Sequence, residues 1–105
     1  MKDIEILKEL KEVLSRSFGD KIDRVILFGS RCKGTGHTYS DYDILIILST
    51  DYDWMMEDNI LNICYDIDLK YDLLTDVKVI SLKELNSLRG KQPFIINAVQ
   101  EGIAV

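Results

Sequence analysis

Leu27 to Ile46 reads LFGSRCKGTGHTYSDYDILI: an apolar run, a Gly-Ser turn, a basic and glycine-rich segment, then two aspartates at the mouth of a second apolar run. Successive side chains on a strand alternate between faces, so Asp41 and Asp43 share one face with Cα atoms about 6 to 7 Å apart. Carboxylates held that close repel each other unless a cation lies between them, and hard divalent ions with oxygen ligands meet that need best. Mg²⁺ is the expected occupant. On the other side of the loop, Gly29 lets the backbone approach a ligand closely, and Ser30 offers a hydroxyl and an N–H to phosphate oxygens. Arg31 and Lys33 add positive charge near a triphosphate, while Gly34 and Gly36 keep the loop compliant.

Outward from this stretch, RVILF (Arg24 to Phe28) is a short β-branched run that reads as a buried strand ending at the Gly-Ser turn. DYDILIIL is too apolar on both faces to be exposed on either, which predicts a central strand. Upstream, Ile4, Leu7, Leu10 and Leu14 follow the spacing of an amphipathic helix over Asp3 to Ser17, stopped by Gly19. Downstream, Asp53 caps a helix to about Leu69 whose Trp54, Met55, Ile60, Leu61, Ile63, Cys64 and Ile67 read as core packing. Ser81 caps a short helix, LKELNSL, and Pro93 opens a last one, PFIINAVQE, closed by Gly102.

Between those helices LLTDVKVI, Leu73 to Ile80, reads as a third strand. Period two puts Leu74, Asp76, Lys78 and Ile80 on one face and Leu73, Thr75, Val77 and Val79 on the other. Asp76 thus interrupts the sheet, where it could complete a three-carboxylate cluster with Asp41 and Asp43. Such a cluster holds two ions about 3.5 to 4 Å apart and clamps an in-line displacement at phosphorus. Asp72 lies near enough that a slip of a few residues exchanges the two; Asp76 is preferred because Asp72 precedes the apolar run and resembles a turn residue. The element order predicts an α+β (α/β sandwich) fold, a small mixed sheet covered by helices on one face.

At 105 residues, 47% hydrophobic and 30% charged, the chain is expected to form one globular domain over 1–105. The net charge of −5 argues against binding to long nucleic acids, though nucleotides remain accessible through metal ions. Met1 to Leu14 is charged and amphipathic rather than a leader, so a cytoplasmic protein without a membrane segment is expected. Cys32 and Cys64 read as reduced thiols, and His37 as a solvated loop residue. A P-loop is excluded by the missing Gly-Lys-Ser/Thr, and an EF-hand by the apolar run after Asp43. The second DYD, Asp51 to Asp53, reads as a strand-to-helix turn.

Gly29-Ser30 followed ten residues on by Ser40-Asp41-Tyr42-Asp43 and an apolar strand resembles the signature of the DNA polymerase beta-like nucleotidyltransferase superfamily. Most similar is its minimal nucleotidyltransferase group, short proteins often paired with HEPN-domain partners in toxin–antitoxin systems, and the likeness spans nearly the whole chain. The resemblance implies a palm-like nucleotidyltransferase fold and transfer of AMP from ATP to a hydroxyl, with two Mg²⁺ ions. Gly29 and Ser30 would grip the triphosphate, Asp41 and Asp43 would ligate both metals, Asp76 would be the third carboxylate and Ser40 would orient the pair. Arg31 matches the basic residue often found after the Gly-Ser pair. The acceptor would be held by a partner, with a HEPN-type toxin favoured and the chain acting as antitoxin, or by a second subunit in a homo-oligomer. Two other functions stay open: a non-catalytic antitoxin-like binding module, and a stand-alone enzyme modifying a small molecule such as an antibiotic.

Overall fold

The leading amphipathic pattern forms α1, Lys2–Phe18, whose Ile6, Leu7, Leu10 and Leu14 are buried. Gly19 ends it at φ +61°, in the left-handed region that a residue without Cβ enters freely. A single 3₁₀ turn, Gly19–Lys21, leads into β1, Ile22–Phe28. This computed structural model describes residues 2–29 and 42–105, and its second strand, β2, is Tyr42–Leu48. α2, Trp54–Tyr71, begins where the Asp53 carboxylate accepts from the Met56 N–H at 2.9 Å. The second DYD is therefore a helix cap, as its position implies.

α2 stops at Asp72, which takes the left-handed conformation with φ 55° and donates its backbone N–H to the Asp68 carbonyl. β3, Thr75–Ser81, follows. Ser81 and Glu84 form a reciprocal capping box that starts α3, Leu82–Leu85. That helix is shorter than the expected LKELNSL: Ser87 caps a separate 3₁₀ turn, Leu88–Lys91, whose Arg89 N–H it satisfies. α4, Pro93–Glu101, then runs to Gly102.

A two-residue strand after it, β4 (Ile103–Ala104), has no counterpart in the sequence reading. It pairs antiparallel with Ile26 and Leu27 of β1. Gly102 has an ordinary φ of −75°, so it closes α4 without a left-handed cap. What it supplies is space, because a Cβ there would lie 2.9 Å from the Leu27 carbonyl oxygen.

The sheet is mixed, in the order β3-β2-β1-β4, with β2 parallel to β3 and antiparallel to β1. β2 is internal, as its uninterrupted apolar run predicts. Its alternation also shows where the cover lies. Ile44, Ile46 and Leu48 pack with the apolar faces of α1 and α2, whereas Leu45 and Ile47 pack with Ile80 and with Ile95 and Ala98 of α4. Leu82, Leu85 and Phe94 extend the second cluster. Helices thus cover both faces, which corrects the expectation of a one-sided cover. The physical reason is β2 itself: Leu45, Ile46 and Ile47 are all fully buried, and an apolar strand needs a layer on each side. Removing a buried Leu or Ile side chain from such a layer costs about 2 to 5 kcal/mol. Among the described residues, no helix is long and apolar enough to cross a membrane.

Candidate active site

Two of the predicted carboxylates come together. Asp43 is the second residue of β2 and Asp76 the second of β3, and the parallel register pairs them directly. Adjacent strands lie about 4.8 Å apart, and in-register residues point to the same face. That face is the one carrying Leu45, Ile47 and Ile80, so both aspartates project past the edge of the α4-covered core. Asp72, the alternative third carboxylate, is instead the left-handed terminus of α2.

Gly29 completes the described part. It follows β1 directly at φ +78°, and Phe28 before it is the register partner of Asp43. A Cβ on Gly29 would overlap Asp43 Oδ2 and lie 3.2 Å from its Cγ. The missing side chain leaves the space into which the carboxylate is turned. Ser30, Arg31, Ser40 and Asp41, together with Cys32, Lys33, Gly34, Gly36, His37 and Tyr39, lie outside the described residues.

Several supporting residues carry no role in the sequence reading. Lys78, two places along β3 on the same face, donates to Asp76 Oδ1 at 3.2 Å. Both side chains are about half exposed, so the pair is worth at most about 1 kcal/mol, but it supplies a counter-charge beside the carboxylate. Period two already set these residues on one face; their pairing was the available signal. Asp68, near the end of α2, accepts from the Thr75 hydroxyl at 3.1 Å and its N–H at 3.4 Å, while its carbonyl accepts from Leu73 N–H at 2.9 Å. It pins the residue before Asp76. Tyr42, beside Asp43, is buried, and its hydroxyl donates to Asp3 of α1 at 2.6 Å while its N–H donates to the Leu74 carbonyl at 2.8 Å. The two strand mouths are thereby tied to both helices beneath them.

Among the described residues no group of three or more His, Cys, Asp or Glu side chains is gathered for a metal ion. The described donors are two carboxylates on one sheet face with a glycine cradle opposite. Hard oxygen donors of like charge, in register on one sheet face, fit a divalent cation of the Mg²⁺ type. A cavity of about 590 Å³ lined by Tyr52, Ser81, Lys83 and Glu84 lies at the other end of β2 and β3. Burial and its contact with Glu84 push the Tyr52 phenol up to about 12, so that end keeps a neutral hydroxyl. The carboxylate pair lies at the opposite end of these strands from this cavity.

Residues 8–105 match the family described as Polymerase beta, Nucleotidyltransferase. The chain belongs to the polymerase beta nucleotidyltransferase family. This nucleotidyltransferase is 42% identical over 74 residues to "Putative protein adenylyltransferase MJ0141" of Methanocaldococcus jannaschii, covering 70% of this chain and 75% of that protein. It is 28% identical over 102 residues to "Putative protein adenylyltransferase MJ0604" of the same organism, covering 97% and 96%. Among solved structures, it superposes on a crystal structure of a toxin–antitoxin with AMP-PNP at a TM-score of 0.56 and 21% identity, covering 91% of this chain and 69% of that one. The last likeness is one of fold, and it agrees with the mixed α/β architecture of this nucleotidyltransferase.

Proposed function

We propose that the protein is a Mg²⁺-dependent protein adenylyltransferase that transfers AMP from ATP to a hydroxyl side chain of a protein partner. The observation that carries the reading is the in-register pairing of Asp43 with Asp76 beside Gly29 at the mouth of the sheet. Asp41, Asp43 and Asp76 would hold the metal, which in this chemistry neutralises phosphate charge and polarises the reacting oxygens. The protein residues divide the remaining work. Gly29 and Ser30 hold the phosphates, Arg31 adds positive charge beside them, Ser40 orients the Asp41 and Asp43 pair, and Asp76 takes the proton of the acceptor hydroxyl. The acceptor oxygen forms a bond to the α-phosphorus as the bond from that phosphorus to the bridging oxygen breaks, and pyrophosphate leaves. β2, buried at every residue but Asp43, holds that carboxylate within the tolerance such a displacement requires.

A protein acceptor is supported by the names of the two Methanocaldococcus jannaschii relatives, and a toxin acceptor by the toxin–antitoxin that shares the fold. On this reading the partner is a HEPN-type toxin silenced by AMP on a tyrosine, the nucleotidyltransferase acts as antitoxin, and both work in the cytoplasm. The test is transfer from radiolabelled ATP with Mg²⁺, together with intact-mass spectrometry of the co-purified partner. Asp43→Asn should abolish the label while circular dichroism stays unchanged. Label undiminished in that variant sinks the carboxylate assignment. A partner that gains no mass of AMP sinks the protein acceptor.

A further inference from the structure

The outward face of α2 is apolar where a solvated helix would be polar. Trp54 is 76% exposed, Tyr65 54% and Leu69 68%, with Leu61 also exposed. At 100° per residue these four fall within an arc of about 80° and run about 22 Å along the helix. Ile60, Cys64 and Ile67 bury the opposite side, so Trp54, Met55 and Leu61, expected in the core from the sequence, stand outside it. An exposed aromatic and aliphatic row of this length marks an interaction surface.

Charge selects the occupant. Every charged residue from Trp54 to Leu69 is acidic: Glu57, Asp58, Asp66 and Asp68. The first base, Lys70, is held by Glu9 of α1 at 3.0 Å, away from the stripe. A second copy would set acid against acid, and an anionic membrane surface would be repelled. A helix with an apolar row and Lys or Arg at its margins satisfies both the row and its rim. Position supplies the rest. α2 ends at the mouths of β2 and β3, where Leu74, 66% exposed, lies two residues before Asp76.

We infer that the outer face of α2 docks a basic amphipathic helix of the protein that accepts the nucleotide, with Trp54 and Tyr65 as anchors. This rests on the protein-acceptor reading above. Trp54 is the sole tryptophan of the chain, so its emission reports the contact directly. The probes are an 18-residue amphipathic Leu/Lys helical peptide and its Leu/Glu counterpart, titrated into the full chain carrying Asp43→Asn. The Lys peptide should shift Trp54 emission to the blue and bind at least tenfold tighter than the Glu peptide. Leu61→Ser with Tyr65→Ser should weaken it at least tenfold, Ile96→Ser with Val99→Ser on α4 should leave it unchanged, and Asp58→Lys with Asp66→Lys should reverse the preference. Equal affinity for the two peptides, insensitivity to the α2 changes, or sedimentation as a dimer that Leu61→Ser dissolves would each overturn it. Because binding is read in a variant unable to transfer AMP, loss of docking with transfer intact in the parent chain rejects this surface alone. Loss of transfer with docking intact rejects the enzymatic reading.

Discussion

Gly29 and Asp43 are fitted to each other across β1 and β2: the carboxylate fills the space that a side chain on the glycine would claim, with Asp43 Cγ only 3.2 Å from that position. Gly29→Ala meets two obstacles, the overlap and a φ of +78° that L side chains rarely adopt. Backbone strain of this kind costs about 1 to 3 kcal/mol. Displacement of the carboxylate should therefore cut AMP transfer at least about tenfold even in the folded fraction. Active-site titration corrected for folded protein checks this, and full specific activity in the variant would contradict the fit.

The third carboxylate is decided by a pair of substitutions. Asp76 faces Asp43 in register, whereas Asp72 is a left-handed helix terminus, a conformation that Asn tolerates well. Asp76→Asn should lower transfer by more than about 100-fold, since loss of even an outer partner of a metal ligand costs 10- to 100-fold. Asp72→Asn should leave transfer and melting temperature nearly unchanged. The opposite ranking would transfer the role to Asp72.

Ser81 tests the far end of β3 without touching chemistry. Its side chain accepts from the Glu84 N–H at 3.1 Å while Glu84 returns a bond to the Ser81 N–H at 3.2 Å. Ser81→Ala should cost about 1 kcal/mol. For a chain of this size that is a fall of about 4 to 8 °C in melting temperature. Transfer at 25 °C should be preserved, and an unchanged melting temperature would show that the box adds nothing.

α1 and α2 are joined by a titratable contact. Tyr71 donates to Glu9 at 2.7 Å and Lys70 at 3.0 Å, and both hold the Glu9 carboxyl below its ordinary value against the opposing effect of burial. A carboxyl depressed on folding stabilises the protein above its ordinary range, and that contribution is lost as the pH falls through the lowered value. The melting temperature should thus be higher in the parent than in Glu9→Gln at pH 7, and the gap should close below about pH 4. A gap that persists unchanged at pH 3 would exclude the charge as its source.

Cys64 is a free thiol buried in the core, and burial, with Asp68 nearby, pushes it up to about 12. At pH 8 the thiolate fraction is then about one in ten thousand, against roughly a quarter for an ordinary cysteine. In a Cys32→Ser background, the native protein should resist Ellman's reagent and react fully in guanidinium chloride. Rapid labelling of the native chain would place Cys64 outside the core.

Much of this arrangement is legible in the sequence because period two is a strict code. It puts Asp76 and Lys78 on one strand face, and the doubly apolar β2 at the centre. That same run already implied two covering layers, and the one-sided expectation failed by not drawing the consequence of Leu45 and Ile47 alternating with Ile44 and Ile46. Other features were illegible for physical reasons. β4 has two residues, too few for any periodicity, and its cue was a glycine needed for close approach rather than for a turn. α3 stops early because Ser87 competes for the backbone as a cap, a choice that helical spacing does not record. The pairing of Asp43 with Asp76 depended on parallel register, which a single strand's pattern leaves open. Ser30, Arg31, Ser40 and Asp41 lie outside the described residues, and their roles remain with the proposal.

Asp43 and Asp76 belong to strands that α2 separates in the chain and that only the closed β2–α2–β3 crossover sets side by side. No part of the chain that lacks β3 carries this pair. A ligand that binds both carboxylates recognises the closed crossover and not the open chain, so it draws the folding equilibrium toward closure. Affinity for that ligand and resistance of the crossover to opening are then one free energy read by two instruments, a titration and a melting curve.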